Sequence, residues 1–315
     1  MTEAGAPRVT VHVPAYNYGR FLGDALDSLL AQTCTEWEAV VIDDASTDDT
    51  HDVGARYGDP RFRFVRHDVN HGHIATFNHG IALARGEFFV ILSADDRYHP
   101  TFLERALECF DAHPDVQLVY TDTETIDDHG HVLGRDGTSI DPEQDWVRDL
   151  SVTLMFGWFI SGCAGMARTT LIRALGGYDP ALAHTADVYL WRRLAFRGRV
   201  GHLTGWLLQH REHDGALHRA TTWLDLMTTE EPAQIARLFD DPALPAGVAQ
   251  QRRRIEAALA ISRARAGFRD RRYGPITAAF GSAVRHDPNL LQADHPLWVF
   301  TRDYARNHRR RRPPA

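Results

Sequence analysis

The sequence contains no lysine, and all 35 basic residues among its 315 residues are arginines. This excludes mechanisms that require a lysine amine, such as a Schiff base or the phosphate-binding lysine of a P-loop. The formal net charge is −7, so the chain lacks the general basic surface of a nucleic-acid-binding protein. The remaining composition, 43% hydrophobic and 24% charged, is typical of a globular protein with one large or two ordinary domains.

Cysteines and long apolar runs are also scarce. Cys34, Cys109 and Cys163 are odd in number, far apart and outside any C-x-x-C pattern, so neither a disulfide framework nor a zinc site is indicated. The N-terminal residues contain no signal-peptide core. The longest apolar run, 152–167, is interrupted by polar residues and glycines and is too short to span a bilayer. These observations predict a cytoplasmic protein without integral membrane contact.

Strand and helix signals alternate through roughly the first ninety residues. Short β-rich or apolar segments are separated by stretches with helical spacing, and they occur at 9–14, 37–42, 62–65 and 88–92. Five bulky apolar residues in a row at 88–92 indicate a strand that is buried on both faces. The alternation predicts an α/β fold with a mostly parallel sheet flanked by helices.

The rest of the chain divides into two parts. Further helices are predicted at 101–112, 168–175 and 187–197, strands at 116–121, 160–166 and 206–210, a hairpin turn at 127–130 and a surface loop at 136–145. Beyond about residue 221 the composition changes to Ala, Arg and Leu with helical periodicity. We therefore predict a domain over 8–220, a helical C-terminal region over 221–308 and a disordered basic tail over 309–315.

Two of the predicted strands end in paired carboxylates. Asp43 and Asp44 follow the second strand, and Asp95 and Asp96 follow the central apolar strand. In open α/β sheets, ligands bind beyond the carboxyl ends of the strands. Paired carboxylates at that edge suit a divalent cation and the phosphate that it carries. The alternative is that these residues are turn acids and helix N-caps, where Asp is common.

Seven short segments occur in a fixed order along the chain: 11–17 (VHVPAYN), 40–48 (VVIDDASTD), 72–80 (GHIATFNHG), 93–96 (SADD), 176–180 (GGYDP), 186–194 (ADVYLWRRL) and 211–213 (REH). Together they resemble the family 2 glycosyltransferases with the GT-A fold over roughly residues 8–219. The resemblance implies transfer of a sugar from a nucleoside diphosphate to an acceptor hydroxyl, by one in-line displacement with inversion. It also implies a divalent cofactor, Mn²⁺ or Mg²⁺, that stabilises the leaving diphosphate.

The resemblance implies a role for individual side chains. Asp96 and His213 would bind the metal, Arg211 is a candidate for the diphosphate, and Asp187 is the candidate general base. Nucleotide contacts are expected from Pro14, Ala15, Tyr16, Asn17, Asp43, Asp44, Asn78 and Asp95, with Asp95 on the ribose or the metal. A carboxylate at Asp44 can accept the imide N–H of uracil or thymine, so UDP or dTDP is the favoured nucleotide.

Each assignment has a structural alternative that the sequence leaves open. Asp44 is also explained as a turn acid before a helix, and Asp187 as a helix N-cap. His213 is one of 18 histidines and is also explained as a surface residue. Arg211 is equally suited to a salt bridge with a neighbouring acid.

Departures from the family pattern keep other functions open. Ser93, Phe77 and Ala186 stand where family members often carry an acid, an Arg and a Glu. A nucleotide-sugar-binding relative without turnover therefore stays an alternative, and a sugar-nucleotide nucleotidyltransferase is a weaker one. Residues 15–20 lack the Gly-rich basic loop of the latter class and the G-x-G-x-x-G of a dehydrogenase. The acceptor is left open between a small natural product, a protein side chain and a saccharide precursor.

The C-terminal region contains two helical segments, 256–266 and 274–284, which resemble one tetratricopeptide-type unit. A single unit of this kind cannot bury its own apolar face. We therefore expect it to pack on the catalytic domain or to form a homodimer.

Overall fold

A computed structural model of the chain describes residues 6–136, 144–157, 160–214, 223–269 and 282–283. The strands are β1 (Val9–Ala15), β2 (Trp37–Asp43), β3 (Phe62–Arg66), β4 (Phe88–Ile91), β5 (Arg97–Tyr98), β6 (Val116–Ile126), β7 (Val132–Asp136), β8 (Trp146–Arg148), β9 (Gly165–Arg168) and β10 (Arg199–Arg211). The helices are α1 (Gly19–Leu30), α2 (Thr50–Gly54), α3 (His73–Leu83), α4 (Phe102–Ala112), α5 (Thr169–Ala174), α6 (Ala186–Ala195), α7 (Trp223–Thr228), α8 (Glu230–Phe239), α9 (Ala246–Gln250) and α10 (Arg252–Arg269).

The strands form one sheet in the order β3-β2-β1-β4-β9-β6-β10-β5, with β7 paired to β6 and β8 to β10. The first four strands of this order are parallel, as the strand–helix alternation predicts. β9 is antiparallel to both of its neighbours, β4 and β6. β10 is parallel to β6 and therefore runs in the same direction as β4. The predicted α/β class is confirmed, and the sheet is mixed beyond β4.

Both faces of the sheet are covered, because the central strands are apolar on both sides. Every residue of β2 and of β4 is buried. One face packs against the apolar sides of α1 and α4, and the other packs against α3, α5 and α6. Burial of this kind contributes about 25 cal/mol per Å² of apolar surface, so the sheet and its two helical layers form the core that positions the strand ends.

The strand directions bring four chain segments to one edge. β1, β2 and β4 are mutually parallel and β10 runs the same way, so their carboxyl ends lie at the same edge of the sheet. The segments that follow or end these strands are 14–18, 43–50, 92–96 and 210–213. This is the edge at which open α/β sheets bind ligands.

The C-terminal helix α8 packs on α6 through apolar and ionic contacts. Phe196, just after α6, shares an apolar cluster with Ile235 and Leu238 of α8. Beside this cluster the side chain of Arg192 is 1% exposed and donates to both carboxylate oxygens of Glu231, at 2.8 and 3.2 Å. A charge pair this deeply buried is strongly destabilising to break, because the remaining partner is left uncompensated.

Most predicted elements recur with shifted ends. The hairpin turn at 127–130 joins β6 and β7, and Gly130 there has φ +85°. The last strand is longer than expected, because β10 begins at Arg199. The second tetratricopeptide-like helix, except residues 282–283, the tail over 309–315 and most of the 136–145 loop lie outside the described residues. None of the described helices combines the length and apolar character that crossing a lipid bilayer requires.

Candidate active site

The carboxyl end of β4 places two buried acids side by side. Asp96 has no exposed surface, and its Oδ1 accepts the Arg211 backbone N–H at 2.9 Å. The same oxygen lies 3.1 Å from His210 Nδ1. Burial by itself would lower the pKa of His210, but the charge and hydrogen bond of Asp96 outweigh it and raise that pKa to about 9. Asp96 therefore joins β4 to β10 through a charged pair.

Asp95 points toward a different partner. Its Oδ2 lies 3.0 Å from Nε2 of His213, and its side chain is 8% exposed. Burial and the charge of Asp96 raise the pKa of Asp95 above its ordinary value. The Tyr18 hydroxyl hydrogen-bonds to Asp95, and burial next to these acids raises the pKa of Tyr18 as well. Two carboxylates held this close favour a cation beside them.

The buried side chain of Arg211 connects several chain segments at this edge of the sheet through hydrogen bonds. Its guanidinium side chain has no exposed surface and donates to the backbone carbonyls of Asp95, Asp127 and Asp128 at 2.9, 3.0 and 3.0 Å. A further nitrogen donates to Asp24 of α1 at 2.7 Å. The sequence predicts a diphosphate contact for Arg211, but these N–H groups already bind the protein itself. In this geometry Arg211 holds the acidic loop, the β6–β7 turn and α1 together.

The loops after β1 and β2 are tied to each other. Asn17 has φ +60°, a left-handed conformation that Asn tolerates, and its Oδ1 accepts the Thr47 N–H at 2.8 Å. Its own N–H donates to Ser46 Oγ at 2.9 Å. Beside this junction the ring of Tyr16 is 43% exposed, whereas Ala15 is buried. An exposed aromatic ring on a fixed loop is suited to stacking on a nucleobase.

Asp44 holds the next loop in place. Its two oxygens accept the backbone N–H groups of His71 and Gly72, at 3.0 and 2.9 Å, and Oδ1 lies 2.6 Å from His67 Nδ1. Burial would raise the pKa of Asp44, but these hydrogen bonds lower it overall. Asp43 Oδ2 makes an ion pair with Arg66 at 3.3 Å and no hydrogen bond among the described residues. This oxygen of Asp43 is buried and faces the guanidinium of Arg66.

Asn78 has a role within the fold. Its Oδ1 accepts the Tyr178 N–H at 2.9 Å, and its Nδ2 donates to the Tyr178 carbonyl at 2.8 Å. A Cβ on Gly177, which has φ +72°, would lie only 2.4 Å from Asn78 Oδ1. Asn78 therefore holds the loop that precedes α6, and its nucleotide contact stays a prediction.

Asp187 lies in the first turn of α6, in a strongly desolvated position. Its Oδ1 accepts the N–H of the adjacent Val188 at 2.8 Å. Burial raises the pKa of Asp187 to about 6, and the nearby charge of Glu230 adds to this rise. A carboxylate with a pKa close to neutrality is well suited to general-base catalysis. Ala186, where the resemblance expects Glu, is buried in the apolar cluster under α6.

One short turn joins the acidic pair to Asp187. The 3₁₀ turn Gly162–Ala164 places Cys163 Sγ 3.0 Å from Ser93 Oγ, just before the acidic pair. At its other end, a Cβ on Gly162 would lie 2.9 Å from Asp187 Oδ2. The charges of Asp95 and Asp96 also contribute to the raised pKa of Cys163. The two predicted centres, almost a hundred residues apart in sequence, therefore lie on either side of a single turn.

The approach of Gly162 to Asp187 yields a direct prediction. Gly162→Ala adds a methyl group at 2.9 Å from the carboxylate oxygen, a distance that requires Asp187 to move. We expect kcat to fall by about 10-fold to 100-fold, since a displacement of about 1 Å has effects of this size, while the KM for the donor changes little. Steady-state kinetics of sugar transfer measure this. Gly134→Ala, at a site with no atom near the added methyl, is the control, and equal kcat in both variants would contradict the assignment.

The sequence did not single out three side chains that the structure places here. Tyr18 and His210 contact the acidic pair, and Cys163 contacts the residue before it. Only His210 carried a sequence signal, because it lies one position before the R-x-H segment. Tyr18 lies in the loop after β1 and Cys163 lies in the 3₁₀ turn, and only the fold places them beside the acidic pair.

Several residues are possible metal ligands at this edge of the sheet, and the spacing of their ligand atoms shows which of them suit a divalent cation. Among the described residues, no group of three or more His, Cys, Asp or Glu side chains is arranged to hold a metal ion. Asp95 Oδ2 and His213 Nε2, however, are 3.0 Å apart, and neighbouring ligands of an octahedral ion at about 2.1 Å are themselves about 3 Å apart. Cations such as Mg²⁺ use few protein ligands and complete their shell with substrate phosphates. Asp95 and His213 fit such a cation, whereas Asp96 is engaged by β10.

The fold and the acidic sheet edge define an α/β protein with a candidate ligand site at the carboxyl ends of its strands. Residues 10–157 match the model of glycosyl transferase family 2. This match confirms the resemblance, seen in the motifs, to family 2 glycosyltransferases with the GT-A fold.

Curated relatives agree with this assignment. An uncharacterized glycosyltransferase of Rickettsia typhi is 31% identical over 214 residues, which cover 66% of this chain and 65% of the relative. An uncharacterized glycosyltransferase of a Nostoc species is 28% identical over 215 residues, covering 67% of this chain and 66% of the relative. The chain thus spans slightly less than two thirds of the length of these relatives.

Solved structures show the same fold at lower identity. TarS of S. aureus, in complex with UDP-GlcNAc, has a TM-score of 0.63 and 16% identity, over 88% of this chain and 92% of that chain. The mannosyltransferase PcManGT from Pyrobaculum calidifontis, in complex with GDP-Man and Mn²⁺, has a TM-score of 0.60 and 21% identity, over 95% of this chain and 84% of that chain. Likeness at this identity establishes the fold.

Proposed function

We propose that this protein transfers a sugar from a nucleoside-diphosphate sugar to an acceptor hydroxyl by a single in-line displacement with inversion. The observation that carries the proposal is the turn Gly162–Ala164, which separates a buried acidic pair from a carboxylate with a pKa of about 6. The first centre suits a diphosphate with its cation, and the second suits proton removal from the acceptor. TarS and PcManGT support the proposal, because they bind a nucleotide sugar on the same fold.

On the donor side, the protein residues bind and orient the nucleotide. Tyr16 offers an exposed ring for the base, and the backbone of 14–17 flanks the nucleoside. UDP or dTDP is the proposed nucleotide, because a carboxylate of the Asp43–Asp44 pair can accept the imide N–H of uracil or thymine. Asp44 acts on the same site by fixing the backbone at 71–72. Asp95 and His213 would hold a divalent cation, which when bound would supply charge stabilisation to the leaving diphosphate.

On the acceptor side, Asp187 removes the proton of the attacking hydroxyl. Asp187 is a half-buried residue in the first turn of α6, and its raised pKa lets it bind a proton near neutral pH. The Gly162–Ala164 turn contacts Ser93, beside the acidic pair, and approaches Asp187, so the leaving diphosphate and the base are assigned to separate residues near one turn. A base on the face opposite the leaving group would give inversion, which is the outcome that the family resemblance implies.

A thermal-shift panel of UDP, TDP, GDP, ADP and CDP, each with Mn²⁺, Mg²⁺ or EDTA, tests the donor half of the proposal. A ligand that binds only the folded protein increases the free energy of unfolding by mass action, by about 2.7 kcal/mol at a concentration of 100 times its Kd. This increase raises Tm. We expect UDP or TDP with metal to raise Tm, and EDTA to remove the effect. No shift with any nucleotide would overturn the proposed donor site.

A further inference from the structure

The first residue of helix α8 contacts the residues just before α6, the helix that carries Asp187. Glu230 begins α8, and its carboxylate accepts the Thr185 hydroxyl at 2.8 Å and the His184 backbone N–H at 3.1 and 3.3 Å. Thr185 directly precedes α6 and is fully buried. The carboxylate therefore binds the two residues that precede α6 and lies near the helix N-terminus, where a negative charge is favoured by the helix dipole. Glu230 holds the turn from which Asp187 projects.

The same carboxylate acts on Asp187 through its charge. Within the described part of the chain, Glu230 from α8 and the Tyr178 hydroxyl from the loop after α5 interact electrostatically with Asp187. Burial is the main cause of the raised pKa of Asp187, and Glu230 is the charged side chain that adds to it. The pKa of the Tyr178 hydroxyl is raised far above its ordinary value, so Tyr178 stays neutral. A like charge beside a carboxylate disfavours its ionised form.

Glu230 is held in place by the rest of α8. The next residue, Glu231, forms the buried ion pair with Arg192, which also donates to Gln234 Oε1 at 2.8 Å. Just after α8, Asp241 binds Arg193 and Arg197 at 3.2 and 2.8 Å. α8 is thus fastened along the length of α6, and Glu230 cannot move away from the first turn without breaking these pairs.

We propose that Glu230 is a positioning residue for Asp187, so that the C-terminal helical region takes part in sugar transfer. It orients the base by holding Thr185 and His184, the two residues before α6, and its charge adds to the proton affinity of the base. This inference rests on the proposed function of Asp187. It assigns a role to a segment that lies beyond the residues matched by the family model.

Glu230→Gln removes the negative charge of the side chain but keeps its hydrogen bonds to His184 and Thr185, because the amide oxygen still accepts hydrogen bonds. The lost negative charge lowers the pKa of Asp187, so we expect the acidic limb of kcat/KM against pH to move down by roughly half a pH unit. The KM for the donor is expected to stay unchanged. Glu230→Ala also removes the hydrogen bonds to His184 and Thr185. The kcat in the pH range where activity is constant is then expected to fall by about 10-fold. An acidic limb identical to wild type in Glu230→Gln would overturn the proposal.

A second readout does not depend on turnover. Carbon-detected NMR titration of the Asp187 carboxyl, assigned with an Asp187→Asn variant, should give a pKa of about 6 in wild type and a lower value in Glu230→Gln. Glu87→Gln, in an ion pair with Arg168 at the opposite end of β4, is the matched control. A wild-type protein without transfer but with this pKa change would remove the proposed function and keep the Glu230–Asp187 coupling. Sugar transfer by the wild-type protein, with no change in the Asp187 pKa in Glu230→Gln, would keep the proposed function and remove the Glu230–Asp187 coupling.

Discussion

Asp187→Asn is expected to reduce kcat for sugar transfer by about 10²-fold to 10⁴-fold, because general-base catalysis contributes an effect of that size. Asn has nearly the same shape but cannot take the proton of the acceptor hydroxyl. Donor binding should stay within about twofold of wild type, since Asp187 lies across the Gly162–Ala164 turn from the acidic pair. Initial rates with the donor and its acceptor, together with nucleotide thermal shifts, measure both quantities.

The pH dependence of the wild-type enzyme follows from the same residue. The pKa of Asp187 is raised to about 6, and only its ionised form acts as a base. The rate should therefore be maximal above pH 6 and fall tenfold per pH unit as the pH drops below it. Asp240→Asn, an exposed acid just after α8, is the matched control and should keep the wild-type profile. Full activity of Asp187→Asn would remove this residue from the mechanism.

Asp95→Asn is expected to abolish the metal-dependent part of nucleotide binding. The substitution removes the carboxylate that lies 3.0 Å from His213, and we expect the Kd for the nucleotide with Mn²⁺ to rise by about 100-fold or more. Stability without ligand should not fall, because burial and the charge of Asp96 already oppose the ionised form of Asp95. Isothermal titration of UDP with and without Mn²⁺ measures the effect.

Asp96→Asn provides the contrasting control. Asp96 is fully buried and bonds to the Arg211 N–H and to His210, so its main effect should be on folding. Loss of a charged hydrogen bond of this kind costs about 1–3 kcal/mol in the free energy of unfolding. The sequence assigns the metal to Asp96, with Asp95 on the ribose or the metal, and we propose Asp95 because Asp96 is bonded to Arg211 and His210. An Asp95→Asn variant whose nucleotide binding is still sensitive to EDTA, with Asp96→Asn insensitive, would restore the first assignment.

Local sequence patterns are sufficient to predict the elements around the site. Apolar strands such as β2 and β4 are recognisable because both of their faces are buried, and each ends in adjacent acids. The loops after β1 and β2 are recognisable from their turn residues. The parallel relation of these strands then places their ends at one edge, as in other α/β sheets. The family motifs add the expected roles of Asp95, Asp187 and His213.

The partners of these residues are not encoded in any local pattern. Asn78 binds the backbone of Tyr178, and Arg211 binds Asp24, across separations of 100 and 187 residues. An Arg next to a His in a surface-like segment suits a ligand contact as well as a buried one. The structure decides between them because β10 pairs with β6 and directs the Arg211 side chain into the protein.

The sequence by itself determines the α/β class, the acidic strand ends and the residue types available for nucleotide, metal and proton transfer, because these follow from periodicity and from short motifs. Only the tertiary structure decides which acid faces His213, which side chains hold the edge together, and that Glu230 binds the residues just before α6. Those outcomes depend on strand order and helix packing, where contacts between distant segments are selected by shape and burial of the whole core.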